Sequence, residues 1–189
     1  MNKVLAFLIL VLLPLLSSAQ SFVLTPNGFV NADEKSKTFI VVEIKGTQAE
    51  LYAKAKTAVT SMWNSPKDVM SYNEPDIIVV NGFSSTAAHF RKWGRDNVAE
   101  LNYRLQIQFK DGRLRIDAPQ IGKLDMIGQQ GTLLIEAGDN STMAHIVRAF
   151  DKKGKARFPD FNTNVENYFN GLIATLIERM NNGASTEDW

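Results

Sequence analysis

Residues 101–116 read LNYRLQIQFKDGRLRI, and few folds can absorb such a stretch. Leu101, Tyr103, Leu105, Ile107 and Phe109 alternate without a fault with Asn102, Arg104, Gln106, Gln108 and Lys110. A period of two puts the apolar set on one face of a strand and the polar set on the other. Asp111-Gly112 then supplies a two-residue type I′ turn, whose central positions need positive φ. The turn sets Lys110 opposite Arg113, Phe109 opposite Leu114 and Ile107 opposite Ile116. A slip of one residue would turn this shared apolar face to water. The chain must therefore build an antiparallel sheet with one buried face.

Two segments have the periodicity to cover that face. Thr38–Lys45, TFIVVEIK, is a short β-branched strand closed by Gly46. Thr47-Gln48-Ala49-Glu50 follows with capping-box spacing, and Leu51, Ala55, Ala58, Val59 and Met62 fall on one helical face. Near the other end, Thr163 and Glu166 repeat that spacing. Val165, Tyr168, Phe169, Leu172, Ile173, Leu176, Ile177 and Met180 then recur at intervals of three and four. Aromatics in such a stripe can line a ligand box, but packing on a sheet requires the same stripe and explains it better. Asn181-Asn182-Gly183 ends the helix, and residues 183–189 read as a mobile tail.

Between these elements, Ser65-Pro66-Lys67-Asp68 can cap a single turn. Pro75 pushes Glu74 towards an extended conformation, and Ile77–Val80 reads as a strand closed by Asn81-Gly82. This is a structural corner that turns the chain back onto the sheet, which explains Asp68 better than catalysis does. Residues 84–97 read as a connecting loop, Thr132–Ala137 as a further strand, and Met143–Phe150 as strand or helix. The expected architecture is α+β, a curved antiparallel sheet with two helices on one face, in the order β-α-β-β-β-β-α.

The N-terminus sets the expected compartment. Lys3, the apolar run Val4–Leu16 and the small residues Ser17-Ser18-Ala19 have the form of a secretory leader. Cleavage is expected after Ala19, giving an exported protein of the periplasm or cell envelope with one domain over residues 20–182. The apolar run is shorter than the roughly 20 residues of a membrane span. Cysteine is absent, which excludes a thioether lipid anchor, thiol nucleophiles and thiolate metal ligands. Removing Lys3 leaves acidic and basic side chains equal in number, so no global field attracts nucleic acid or anionic membrane.

KGTQAELYAKA, the SPKDV corner, IIVVNGF, LNYRLQIQFKDGRLRI and the late FDKKGK and VENYFNGLIATLI together resemble domain-of-unknown-function family 4468. The resemblance implies envelope proteins of Bacteroidetes with a TATA-box-binding-protein-like (TBP-like) or helix-grip-like fold. Its motifs are caps, turns and core positions, and it carries no catalytic residue to transfer. Residues 84–97 and 122–159 depart from the family pattern.

Motifs for chemistry are sparse. His89 and His145 are the only histidines, and neither sits in a metal-binding spacing. There is no nucleophile elbow, phosphate loop or dinucleotide fingerprint, so no cofactor or metal is expected. Asp76, Asp111, Asp117, Asp125 and Asp139 fall at turns and strand ends, where aspartate serves the backbone. Arg104, Lys110, Arg113 and Arg115 lie on the polar hairpin face without interleaved aromatics, which suits a solvated face rather than nucleic acid. One stretch, HFRKWGR at residues 89–95, combines aromatics with basic residues. Arg91, Trp93 and Arg95 are its candidate partner-binding residues. The plainer alternative has Phe90 and Trp93 tuck the loop onto the domain.

The leading expectation is a non-enzymatic envelope domain that binds a protein partner or an envelope component. One alternative is a carrier of a small apolar ligand between the sheet and the C-terminal helix. A second is a hydrolase whose carboxylates meet only in space.

Overall fold

The computed structural model describes residues 20–63, 65–92, 94–128 and 130–182. The expected leader (1–19), the expected tail (183–189) and Trp93 lie outside the described residues. The chain opens with a hairpin, β1 (Phe22–Thr25) and β2 (Gly28–Asn31). Then come β3 (Phe39–Glu43), α1 (Gln48–Met62), the single turn α2 (Pro66–Val69), β4 (Met70–Asn73), β5 (Ile77–Lys92), β6 (Arg95–Lys110) and β7 (Arg113–Asp117). The short strands β8 (Gln120–Ile121) and β9 (Leu124–Asp125) lead to β10 (Thr132–Ala137), β11 (Ile146–Phe150) and the long helix α3 (Pro159–Asn182).

The main sheet is antiparallel in the order β3-β7-β6-β5-β4, with β8 paired to β6. The β6–β7 register is the one the alternation dictates: Lys110 opposite Arg113, Phe109 opposite Leu114, Ile107 opposite Ile116. Leu101, Tyr103, Leu105, Ile107 and Phe109 are all buried, and α1 and α3 cover them. On α1 the capping box forms as expected, with Glu50 N–H donating to Thr47 Oγ1 and Thr47 N–H to Glu50 Oε2. Leu51, Ala55, Ala58 and Val59 are buried together with Tyr52, while Met62 packs at the margin. On α3, Val165, Phe169, Ile173, Leu176 and Met180 are buried and Tyr168, Leu172 and Ile177 are partly so. Each fully buried side chain of this size stabilises the fold by about 1.5–3 kcal/mol before entropic costs.

Several elements differ from the expectation. Residues 84–97 are not a loop: β5 and β6 are each 16 residues long and pair almost to their tip, Lys92 opposite Arg95. A bulge explains why this strand was hard to see. Between Ser84 and Ala88 the register shifts, so that four steps on β5 match two on β6. Ser84 Oγ accepts from Thr86 N–H at 3.3 Å and Ala87 N–H at 3.1 Å, groups that the ladder would otherwise bond. Alternation is lost there, and with it the sequence signal.

Helix α3 begins at Pro159, four residues before the expected cap. Proline suits the first helical turn, and Phe161 is buried against Phe90. Thr163 Oγ1 therefore donates back to Pro159 O at 3.0 Å, and Glu166 accepts from Leu24 N–H at 2.8 Å instead of closing a box. The corner is tighter than expected, since β4 follows α2 without an intervening residue. Finally, the sheets are not wholly antiparallel. In a second, three-stranded sheet β10 runs parallel to β11, and residues 138–145 fold back between them.

Candidate functional site

The tip of the β5–β6 hairpin meets the β10–β11 connection across a groove of about 510 Å³. Strand alternation decides which tip residues enter it. Asn97 pairs with Phe90, Arg95 with Lys92, and Arg91 with Asp96. Lys92, Arg95 and Asn97 thus share the groove face, whereas Arg91 turns away and makes an ion pair with Asp96 at 3.7 Å. The structure therefore separates the expected constellation. Arg95 lines the groove, Arg91 does not, and Trp93 is outside the described residues. Phe90 behaves as the plainer reading had it, buried against Phe158 and Phe161 with ring centroids 4.8 Å and 6.1 Å away. Asp160 Oδ2 accepts from Arg91 N–H at 2.6 Å, and Asn164 Nδ2 donates to His89 O at 3.0 Å. These bonds hold the tip against the start of α3.

The opposite wall comes from the β10–β11 connection, which contributes Asn140, Ser141, Thr142 and His145. Met126, Ile146 and Val147 make an apolar floor. This wall is firmly built. Arg148 N–H donates to Asn140 Oδ1 at 2.8 Å, Arg148 Nε donates to Asp139 O at 2.9 Å, and its guanidinium bonds Glu136. Arg157 donates to Gly138 O at 2.8 Å. His145 turns the chain back into β11 at φ 50°, a left-handed conformation that most side chains avoid. Its carbonyl accepts from Thr132 N–H at 2.9 Å. Sequence reasoning missed this wall because its pattern is neither helical nor alternating.

Among the described residues no carboxylate lines the groove, while Lys92 and Arg95 do. Arg95 has no ion pair among the described residues. The arrangement can hold an anion. The described residues contain no cluster of three or more His, Asp or Glu able to hold a metal ion.

Two other regions bear on the alternatives. The polar sheet face carries Lys110, Arg113 and Arg115, of which Arg115 is engaged within the face. Asp117 accepts from Arg115 Nε at 2.6 Å, Gln106 at 3.0 Å and Gln108 at 3.2 Å, and the Arg115 guanidinium lies 4.0 Å from the Phe39 ring centroid. Between the sheet and α3, where a carrier would hold its ligand, Phe29, Tyr103 and Tyr168 instead pack edge-on around Phe169 at 5.0–5.2 Å. Of Asp76, Asp111, Asp125 and Asp139, only Asp111 serves the backbone, accepting from Gln48 N–H; Asp76 accepts from Gln48 Nε2, Asp125 from Thr132 Oγ1, and Asp139 pairs with Lys152. Among the described residues no helix is long and apolar enough to cross a membrane.

An antiparallel sheet holding two helices on one face is the TBP-like α+β class of domain. Residues 39–122 match the family described as a domain of unknown function (DUF4468) with TBP-like fold. The chain is similar in structure to a TBP-like protein from Parabacteroides distasonis, with TM-score 0.51 and 16% identity over 76% of this chain and 91% of that one. It is also similar to a DUF4468 family protein from Bacteroides ovatus, with TM-score 0.45 and 9% identity over 79% and 89% of the two chains. At 16% identity the first of these likenesses speaks for the fold alone. No curated protein matches the sequence. The matched stretch supplies the hairpin wall of the groove, whereas the β10–β11 wall lies beyond it.

Proposed function

We propose that this protein is an exported, non-enzymatic domain of the cell envelope that binds an envelope component at the tip of its long hairpin. One observation carries the binding reading: the groove brings together two cations and several amides and hydroxyls without a lining carboxylate. A solvated surface of a chain with 21 basic and 20 acidic residues would mix the two signs. The leader-like N-terminus supports export, and the absence of a recognisable catalytic motif supports a binding role.

The experiment is cosedimentation of the mature protein with isolated envelopes. The wild type should be retained in a salt-sensitive manner. Lys92→Ala/Arg95→Ala should weaken retention by about 3 kcal/mol, the scale of two charge-assisted hydrogen bonds at an accessible site. Arg91→Gln removes a charge from the other face and should leave retention unchanged. Equal retention of all three proteins would refute the reading. Export is checked separately: the intact mass of periplasmic protein should match a chain beginning at Gln20, with the full-length cytoplasmic form as the contrary result.

A further inference from the structure

We infer that the face of the main sheet opposite the helices holds a neutral glycan, a flat chain of β-linked pyranose rings. This site is separate from the hairpin tip and does not depend on the reading given there.

Alternation places it. Val80 and Tyr103 are buried under the helices, so Asn81, Phe83, Asn102 and Arg104 face the other way. The register makes Phe83 the partner of Asn102, Asn81 of Arg104, and Arg104 of Gln120 on β8. With Val69 and Gly122 these residues line an open recess of about 420 Å³.

Two phenylalanines on this face differ. Phe39 is half-buried, with the Arg115 guanidinium 4.0 Å from its ring centroid and Lys37 Nζ 5.9 Å away. Phe83 is 53% exposed, and among the described residues no cation covers it, although Arg104 lies in the same recess. The polar side chains divide in the same way. Beside Phe39, Gln106, Gln108 and Arg115 all bond Asp117. Around Phe83, the side chains of Asn81, Asn102, Arg104 and Gln120 are exposed and make no hydrogen bond or ion pair among the described residues. One half of the face is satisfied within itself, and the other presents its ring, donors and acceptors outwards.

Chemistry narrows the partner. Each amide both donates and accepts, as a sugar hydroxyl does, and Arg104 adds donors. In an all-equatorial pyranose the axial C–H bonds form broad apolar faces and the hydroxyls lie along the edges. The bare ring suits the faces and the amides suit the edges. Neighbouring strands lie about 4.8 Å apart, the scale of one sugar ring. A chain crossing β5, β6 and β8 thus meets Phe83, then Asn102 and Arg104, then Gln120. A nucleic acid would need cations along its path, and the recess has one, Arg104. A protein interface would need several apolar anchors. Among the described residues Phe83 is the one large exposed apolar side chain on this face. Both neighbours of Phe83 are held before any ligand arrives: the Tyr103 ring lies over Gly82, and Ser84 Oγ accepts from Thr86 N–H and Ala87 N–H.

The test is an amide NMR titration of the mature protein with cellotetraose, chitotetraose, glucose and a short oligothymidylate. At least one tetrasaccharide should saturate and shift amides of residues 81–85, 102–104 and 120–122. Glucose should bind at least about tenfold more weakly, because one ring spans one strand. Phe83→Ala should weaken the tetrasaccharide by about tenfold or more while leaving the rest of the spectrum in place. Phe83→Tyr, which keeps the ring, should bind as the wild type does, and so should Arg113→Gln at the far end of the same face. Failure of both tetrasaccharides to shift these amides would overturn the inference, as would undiminished binding by Phe83→Ala. Glucose binding as tightly as the tetrasaccharide, or oligothymidylate binding more tightly, would overturn it too. Sugar-induced shifts confined to residues 94–97 and 140–147 would place the sugar at the hairpin tip and remove this site.

Discussion

One carbon atom added at Gly82 would fall 2.1 Å from Tyr103 Cζ and 2.3 Å from its hydroxyl oxygen. Gly82 and Tyr103 are direct cross-strand partners, and the missing side chain is the space in which the tyrosine ring lies. The ring has nowhere to retreat. It packs on Phe169 at 5.0 Å, and its hydroxyl bonds that of Tyr168 at 3.0 Å. Gly82→Ala should therefore cost about 3 kcal/mol by overpacking. In a Tyr103→Ala background the same change should cost under about 1 kcal/mol, since neighbours that share a clash are not additive. Denaturant melts of the four proteins check this, and additive costs would contradict it. Burial also pushes the Tyr103 hydroxyl far above the usual tyrosine range, with the Tyr168 bond adding to the effect. The native state keeps this proton when an unfolded tyrosine, with pKa near 10, has lost it. Stability is thus complete below about pH 10 and should fall above it by up to about 1.4 kcal/mol per pH unit. Tyr103→Phe should show a shallower alkaline decline, read from urea midpoints between pH 9 and 11.

At the scale of elements, α3 supplies the sharpest test of packing. Ile173 is buried, Leu172 is partly exposed and Glu178 is exposed. Ile173→Ala should cost about 3–4 kcal/mol, Leu172→Ala roughly half as much, and Glu178→Ala within about half a kcal/mol of zero. Thermal melts giving any other order would mean that the helix presents a different face. The elements legible in the sequence were those with a clean period or a capping pair: β6 and β7, the body of α3, and α1 with Thr47 and Glu50. What escaped was made by non-local means. The outer half of β5 hides behind the Ser84–Ala88 bulge, where side chain and backbone bond each other out of register. The start of α3 depends on Phe161 meeting Phe90, a contact that links residues 71 positions apart and leaves no local trace. The candidate site was legible in type but not in place. The basic character of 91–95 was visible, but the pairing of Arg95 with Lys92, which sends Arg91 to the other face, follows from a strand that the bulge concealed.

At the scale of the whole molecule, elements far apart in the chain close the fold against each other. The β1–β2 hairpin lies against α3, where Asn170 accepts from Phe22 N–H at 2.9 Å and donates to Phe22 O at 3.0 Å. Leu24 N–H donates to Glu166 at 2.8 Å, and the Phe22 and Phe29 rings pack beneath, Phe29 on Phe169 at 5.2 Å. Asn170→Leu should cost about 2 kcal/mol, because it leaves two part-buried backbone groups without partners. Hydrogen exchange should show the loss concentrated in residues 22–31. These partners stand 148 and 142 positions apart in the chain. The order of synthesis then has a consequence: β1 and β2 leave the ribosome with no surface to lie on, because α3 is made well after them. A nascent chain that stops short of residue 159 has an antiparallel sheet whose apolar face is missing its long helix, so it stays open until α3 is made. A chain built this way is available to be threaded, bound or digested until α3 has been made and has reached the sheet.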